Sequence, residues 1–455
     1  MINTIINNTK AYTETHNKDG RKKKGQFFTP ASIAKFMAMR ASFATEHLAI
    51  LEPGAGNGIL TAAVVKRCID EGLCNSFFIK FVENDKEILP VLEESVRIIR
   101  EYVLLHQGRI DVSISTDNYL TSEENQHYDV VICNPPYKKI RKDSQESKSM
   151  AEYVHGQPNL YGLFMCKAME HLKDGGRFVF ITPRSWTSGE YYRLVRKYLL
   201  QGINVTDLLL FENRDNIFEG EDVLQETLIT VGIKNAPQAQ YIYVYTADVD
   251  LQLSLIQMEV PAQLIKDVGA DSYLLLPQNE EDLQVIYRMS QITDTFESLG
   301  YCFKTGPVVE FRNKEAISSE QKAGYIPMYR ASHIVKGKCV FPADTEKAQY
   351  VDVEAKKLLI TNRNTVFIRR LSAKEENRRL QSCAYYQSDG SEHISVENHV
   401  NYLTRSDGSP LSVDEVDWIN GLLMSEDYDT YYRIINGSTQ VNAGEINKLP
   451  LQRRS

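Results

Sequence analysis

Between about residues 48 and 235, short apolar runs alternate with amphipathic segments. LAILEPG, FFIKFVEND, DVSIST, YDVVICNPP, GGRFVFITP, DLLLFEN and ETLITVGIK each read as a strand, and the stretches between them carry helical patterns. Strands separated by helices predict an α/β fold with a doubly wound, mainly parallel sheet. Beyond about residue 240 the rhythm is lost. The remainder mixes strand-like runs such as LLITNRNTVFIRR with exposed loops and a helix-like SVDEVDWINGLLMS, which predicts a second, α+β domain. A chain of 455 residues exceeds what one compact core organises, in keeping with that division.

The leading segment, MINTIINNTKAYTETHNKDGRKKKG, is polar and lacks the apolar centre of a signal peptide. Residues 1–24 are therefore expected to form a mobile N-terminus, residues 25–240 a first domain and residues 241–455 a second. No apolar run approaches the length of a membrane span, so the expected location is cytoplasmic, with no membrane partner. The seven cysteines (Cys68, Cys74, Cys133, Cys166, Cys302, Cys339, Cys383) are scattered and form no C-x-x-C pair, the usage of a reduced compartment without structural zinc. The net charge of −8 gives no global sign of a nucleic-acid partner, so any such contact must be a local basic patch.

In a doubly wound sheet, ligands sit at the C-terminal ends of the strands, near the point where strand order reverses. The unusual residues of this sequence fall there. LEPGAGNG runs from a strand into a glycine turn, where Gly54, Gly56 and Gly58 let the backbone approach a ligand; a plain tight turn explains them equally well. The spacing departs from the G-x-G-x-x-G of dinucleotide folds. FVEND ends the next strand with Glu83, typed to accept from ribose hydroxyls or to sit at a helix N-terminus. STDNYL ends the third with Asp117, typed to accept from an exocyclic adenine amine or to close a turn. Three successive strand ends, each with an adenosine contact of the right type, favour the ligand reading.

The next strand, DVVIC, stops at Asn134-Pro135-Pro136-Tyr137. Two prolines remove two backbone donors and fix two φ angles, so a stiff loop must follow that holds an Asn and a Tyr rigidly. The order of GQFFTP (25–30), LEPGAGNG (51–58), FVEND (81–85), STDNYL (115–120), NPPY (134–137) and NLYGLFMCKAMEHLKDGGRFVFITPRSW (159–186) resembles the gamma class of S-adenosylmethionine-dependent DNA N6-adenine methyltransferases of type II restriction-modification systems. The likeness covers roughly residues 20 to 235.

That resemblance implies the class I methyltransferase (Rossmann-like) sheet, S-adenosylmethionine as cofactor and double-stranded DNA as partner. A cognate restriction endonuclease acting on the same site is a further partner that such systems admit. It implies cofactor contacts from Thr29, Pro30, Glu52, Gly54, Gly56, Glu83, Asp117 and Asn134, and catalysis by Asn134, Pro135, Pro136 and Tyr137. The adenine amine is a poor nucleophile because its lone pair is delocalised into the ring. Asn134 Oδ1 and the Pro135 carbonyl, accepting its two N–H bonds, would draw the nitrogen toward a tetrahedral geometry, with the prolines supplying preorganisation. The base must first be flipped from the duplex, and Tyr137 would stack on it, with Phe218 as the opposing ring or else a core residue. Asn-Pro-Pro-Tyr also occurs in glutamine and RNA methyltransferases, so an RNA or protein-glutamine amide substrate stays open as the alternative.

The second domain would then be a target-recognition domain. Arg363, Arg369, Arg370, Arg378 and Arg379 lie within 17 residues and could contact phosphates or guanine, although charge runs are more often solvated faces. MYRASHIVKGK (328–338) is a second candidate. A nuclease centre would need acids near an E-x-K, which Asp344 with Glu354-Ala355-Lys356 matches only by loose spacing.

Overall fold

In the computed structural model the described residues are 1–16, 20, 24–123, 125–211, 226–247, 256–265, 273–373, 376–388, 390–436 and 439–453. They divide into two compact units, Met1–Asn279 and Glu280–Ser455.

Among the described residues the first unit is built on nine strands: β1 (Leu48–Pro53), β2 (Ser76–Val82), β3 (Arg109–Ser115), β4 (Tyr128–Cys133), β5 (Leu172–Pro183), β6 (Ile203–Phe211), β7 (Thr227–Lys234), β8 (Tyr241–Ala247) and β9 (Ile256–Pro261). Their order in the sheet is β3-β2-β1-β4-β5-β7-β6-β8-β9. The pairs among the first five are parallel, as is β6 with β8, while β7 runs against both β5 and β6, and β9 against β8. This is the mainly parallel, doubly wound sheet that the alternation of apolar runs predicted. Every residue of β1 is buried, because crossover helices cover both faces of a parallel sheet.

Strand order reverses at β1, which has β2 on one side and β4 on the other. The last residues of β1, β2 and β3 pair in step, Pro53 with Val82 and Val82 with Ser115. The loops that leave these strands therefore emerge level along one edge. Cys133 Sγ at the end of β4 donates to the Pro53 carbonyl at 2.9 Å, tying the loop after β4 to the turn after β1.

Two boundaries differ from expectation. Residues 1–24 were read as mobile, yet Ile2–Thr15 forms a helix, α1. Its buried Ile2, Ile5, Thr9 and Tyr12 fall at helical spacing, a narrow face that the surrounding polar residues hide from a composition reading. α1 packs on α3 (Ile59–Asp70) and α4 (Leu89–Leu105), and α2 (Ala31–Ala41) lies on α3. The first unit also runs past residue 240, since β8 and β9 extend its sheet and bury Ile242, Val244, Tyr245 and Val260.

The second unit is α+β, as predicted. One sheet orders Tyr301–Thr305, Val400–Arg405, Thr365–Arg369, Ser382–Tyr385, Lys338–Cys339 and Ile334–Val335. The other orders Ile317–Ser318, Tyr350–Asp352, Tyr325–Tyr329, His393–Val396 and Leu359–Thr361. The helix-like SVDEVDWINGLLMS is the helix Val413–Leu423, entered through a capping box in which Ser412 accepts from the Glu415 amide and Glu415 from the Ser412 amide. Among the described residues, no helix is long and apolar enough to cross a membrane.

The sheet boundary has a measurable consequence. A fragment ending at Asn279 is expected to stay in solution and to melt cooperatively. One ending near Pro237 lacks β8 and β9, uncovers the edge of β6 and is expected to aggregate. Comparing their sedimentation and thermal unfolding checks this, and equal behaviour would place the boundary back near residue 240.

Candidate active site

The turn after β1 is left-handed at three positions, with φ of 64° at Gly54, 54° at Gly56 and 72° at Gly58. A side chain is strained in that region, whereas glycine is not. The turn is held by carboxylates from two strands. Glu83 accepts from the Gly56 amide through Oε2 and from the Asp85 amide through Oε1, both at 2.8 Å. Glu52 Oε2 accepts from the Thr61 amide at 2.9 Å in the first turn of α3. From the other side, Asn57 Nδ2 donates to Thr9 Oγ1 of α1 at 2.8 Å.

A strap, Gly25–Pro30, lies over this turn. Gly25 has φ of 73°, and a Cβ there would stand 2.9 Å from the Tyr137 nitrogen, whose amide donates to the Gly25 carbonyl at 3.1 Å. Phe28 packs above Gly56, 3.7 Å from where its Cβ would be, and meets the Tyr12 ring edge-on at 6.0 Å. Lys24 pairs with Asp85 and Glu87 at the strap's start.

Strap, glycine turn and strand ends enclose a cavity of about 410 Å³. Seven of the eight predicted cofactor residues line it: Thr29, Glu52, Gly54, Gly56, Glu83, Asp117 and Asn134. Pro30 does not; its carbonyl accepts from Ala34 and opens α2. Pro136 lines the cavity, Pro135 is buried behind it, and Tyr137 is half-buried, its hydroxyl donating to the Ile181 carbonyl at 3.2 Å. Phe218 lies outside the described residues.

Several lining residues were not singled out from the sequence. Phe28 sits inside the quoted GQFFTP, and Asn118 and Tyr119 directly follow Asp117. Leu160 and Phe164 share one face of α5 (Leu160–His171), a spacing that signals a helix face but not what the face covers. Tyr119 is held from behind by a 3.0 Å hydrogen bond between its hydroxyl and His171 Nδ1. Burial pushes that imidazole down to about 4, so it stays neutral.

Two carboxyl groups of the cavity are shifted by burial. Burial pushes the Glu52 carboxyl up to about 8, and burial likewise raises Glu83. Asp117 is exposed at the rim and accepts from Ser115 Oγ at 2.8 Å. A cationic ligand would restore the ionised form of the two buried acids.

The most unusual polar group is Asn134. Its Nδ2 donates to the Phe27 carbonyl at 2.9 Å and to Thr29 Oγ1 at 3.0 Å. Its Oδ1 is buried and accepts from no described residue. A buried acceptor without a partner is costly, and such atoms concentrate where a ligand supplies the missing donor.

In the second unit the predicted arginine cluster is largely structural. Arg379 is fully buried, with its amide donating to Asp429 Oδ1, so it cannot reach DNA. Arg369 is half-buried and donates to the carbonyls of Ala331 and Ile334; Arg370 donates to Asn398 and Arg378 to Ser425. These guanidiniums fasten loops. Arg330 of the second candidate stretch is likewise buried, paired with Glu310. Arg363 alone of the five is exposed, and it borders a groove of about 670 Å³ with Lys304, Lys356, His393 and Arg405. Lys304 and Lys356 are exposed and form no ion pair among the described residues. Among those residues no cluster of His, Cys, Asp and Glu could hold a metal, and Asp344 and Glu354 form no such centre.

The model of the Eco57I restriction-modification methylase family matches residues 77–218. The chain is 29% identical over 464 residues to the type II methyltransferase M.PstI of Providencia stuartii, spanning 98% of this chain and 91% of that protein. To the type II methyltransferase M.BsuBI of Bacillus subtilis it is 30% identical over 443 residues, spanning 94% and 88%. The chain belongs to the type II restriction-modification methyltransferases. In fold, this methyltransferase is similar to a nuclease-deletion mutant of the type ISP restriction-modification enzyme LlaGI in complex with a DNA substrate mimic, with a TM-score of 0.53 at 10% identity over 93% of this chain and 45% of that one. Its cofactor is S-adenosylmethionine.

Because burial holds Glu52 protonated in the cofactor-free methyltransferase, folding gains from its neutral form. That stabilisation is complete below the ordinary carboxyl value of about 4.3 and is lost as the pH rises through about 8. The melting temperature is expected to fall between pH 5 and 8, and Glu52→Gln to flatten that fall. A mutant profile parallel to the wild type would mean that Glu52 is already ionised.

Proposed function

We propose that this methyltransferase modifies the N6 amine of an adenine flipped out of double-stranded DNA, in the manner of the gamma class, within a restriction-modification system. The observation that carries the reading is the partnerless, buried Asn134 Oδ1 at the edge of the cofactor cavity. An exocyclic amine offers two N–H donors, of which Asn134 Oδ1 would accept one and the Pro135 carbonyl, on the same loop stiffened by two prolines, the other. Acceptors fixed in place favour the pyramidal nitrogen of the transition state over the planar ground state, which is where catalytic binding energy has to act.

Thr29, Glu52, Gly54, Gly56, Glu83 and Asp117 would hold the cofactor, which supplies an electrophilic methyl group when bound. The strap lines that region, and Tyr137 offers a ring for stacking beside Phe27, 5.4 Å away centroid to centroid. Tyr137 does not act as a base: burial raises its hydroxyl well above the usual range, and that hydroxyl is engaged with Ile181.

The test is to digest methylated duplex DNA to nucleosides and weigh them. N6-methyladenine is expected; N4-methylcytosine, or modification only of RNA or of a glutamine peptide, would overturn the reading. Asn134→Ala should lower kcat on the order of 100-fold or more while cofactor affinity changes little. Near-normal turnover would remove Asn134 from the chemistry.

The second unit is proposed to carry the DNA-reading surface, with Lys304, Lys356 and Arg363 in place of the arginines engaged with loop carbonyls and a cognate endonuclease as the other half of the system. Lys304→Glu with Lys356→Glu should weaken binding equally on specific and random duplexes and flatten its salt dependence by about one unit per lost phosphate contact. Wild-type binding across a salt series would move the DNA elsewhere.

A further inference from the structure

Asn134 can serve as an acceptor only if its carboxamide stands the right way round. Turned by half a rotation, the same side chain would present its amino group to the substrate and repel an incoming amine. Two groups of the strap decide between these states. The Phe27 carbonyl, at 2.9 Å, can only accept, so it must face the amino group. Thr29 Oγ1, at 3.0 Å, takes the second hydrogen. Both donors of Asn134 are thereby used, and Oδ1 is left as the outward group.

We propose that Thr29 is a positioning residue for the transfer step, acting through the Asn134 carboxamide; this rests on the reading of Asn134 as the acceptor of the target amine. The Thr29 side chain is 6% exposed and lines the cofactor cavity. Its oxygen accepts from Asn134, which leaves its own hydrogen for an acceptor inside that cavity. Donation into the cavity strengthens the same oxygen as an acceptor, because hydrogen bonds in a chain polarise one another. One hydroxyl thus links occupancy of the cofactor cavity to the aim of the catalytic amide. Without it, an Asn134 N–H is left unpaired in a buried place, and the carboxamide turns to recover a partner, taking Oδ1 off its line.

Thr29→Val keeps the side-chain shape and removes the oxygen, whereas Thr29→Ser keeps the oxygen. At saturating S-adenosylmethionine and DNA, Thr29→Val is expected to lower kcat by about 10-fold or more, the scale for losing one positioned group at a reacting centre. Thr29→Ser should restore most of that loss. Thr29→Ala, expected to behave as Thr29→Val, is the second variant in case valine perturbs the strap, and calorimetric binding of S-adenosylhomocysteine checks that each protein is folded.

A residue serving only the cofactor would behave differently: Thr29→Val would raise the KM for S-adenosylmethionine and leave kcat at saturation intact. That result, or a serine variant as slow as the valine one, overturns the proposal. Asn134→Ala assayed alongside separates the two layers. If it turns over normally, the reading of Asn134 fails and the proposal with it. If it is inactive while Thr29→Val and Thr29→Ala match the wild-type kcat, only the role of Thr29 fails.

Discussion

The site depends on one constraint of the sheet: β1 is paired in parallel on both sides, with β2 and with β4. A strand so placed can send its following loop only off the C-terminal edge, where the loops of its neighbours also emerge. The in-step ends of β1, β2 and β3 bring Glu52, Glu83 and the Ser115–Asp117 turn to one wall. The link from Cys133 to the Pro53 carbonyl holds the loop of Asn134–Tyr137 against that wall. Everything else in the pocket is arranged around this edge, including a strap that belongs to no strand and is fixed by its hydrogen bonds to Tyr137 and Asn134.

What could be read from the sequence follows from how local each signal is. The apolar runs and glycine-proline punctuation are local, and they located the sheet, the glycine turn and the loop after β4. That Glu83 and Asp117 line the cavity was legible because both stand just past strand ends that meet at one edge. The role of α1 was not, since four inward residues among nine polar or small ones and Ile6 give a weak stripe, visible only once α3 and α4 supply a surface to bury it. The unpaired Oδ1 of Asn134 is a property of three segments together and has no local signature.

The arginines teach the opposite lesson. A guanidinium carries five donors, and backbone carbonyls left open at loop ends satisfy them as well as phosphates do. Arg369, Arg370 and Arg378 are placed that way, and Arg379 is buried against Asp429 and Asn436. Local sequence density of positive charge does not distinguish the two uses. Lys304 and Lys356, far apart in sequence, meet at one groove only because strands and loops of two sheets converge there.

The anchoring of α1 has a consequence for the order in which the protein can be made. Its partners are α3, α4 and Asn57 of the glycine turn, all of which leave the ribosome after it. A 14-residue helix with few apolar residues is marginal by itself. Made before both partner helices, α1 therefore has to wait until Leu105 completes α4, and it finds its place only as the nascent sheet gains its first crossovers.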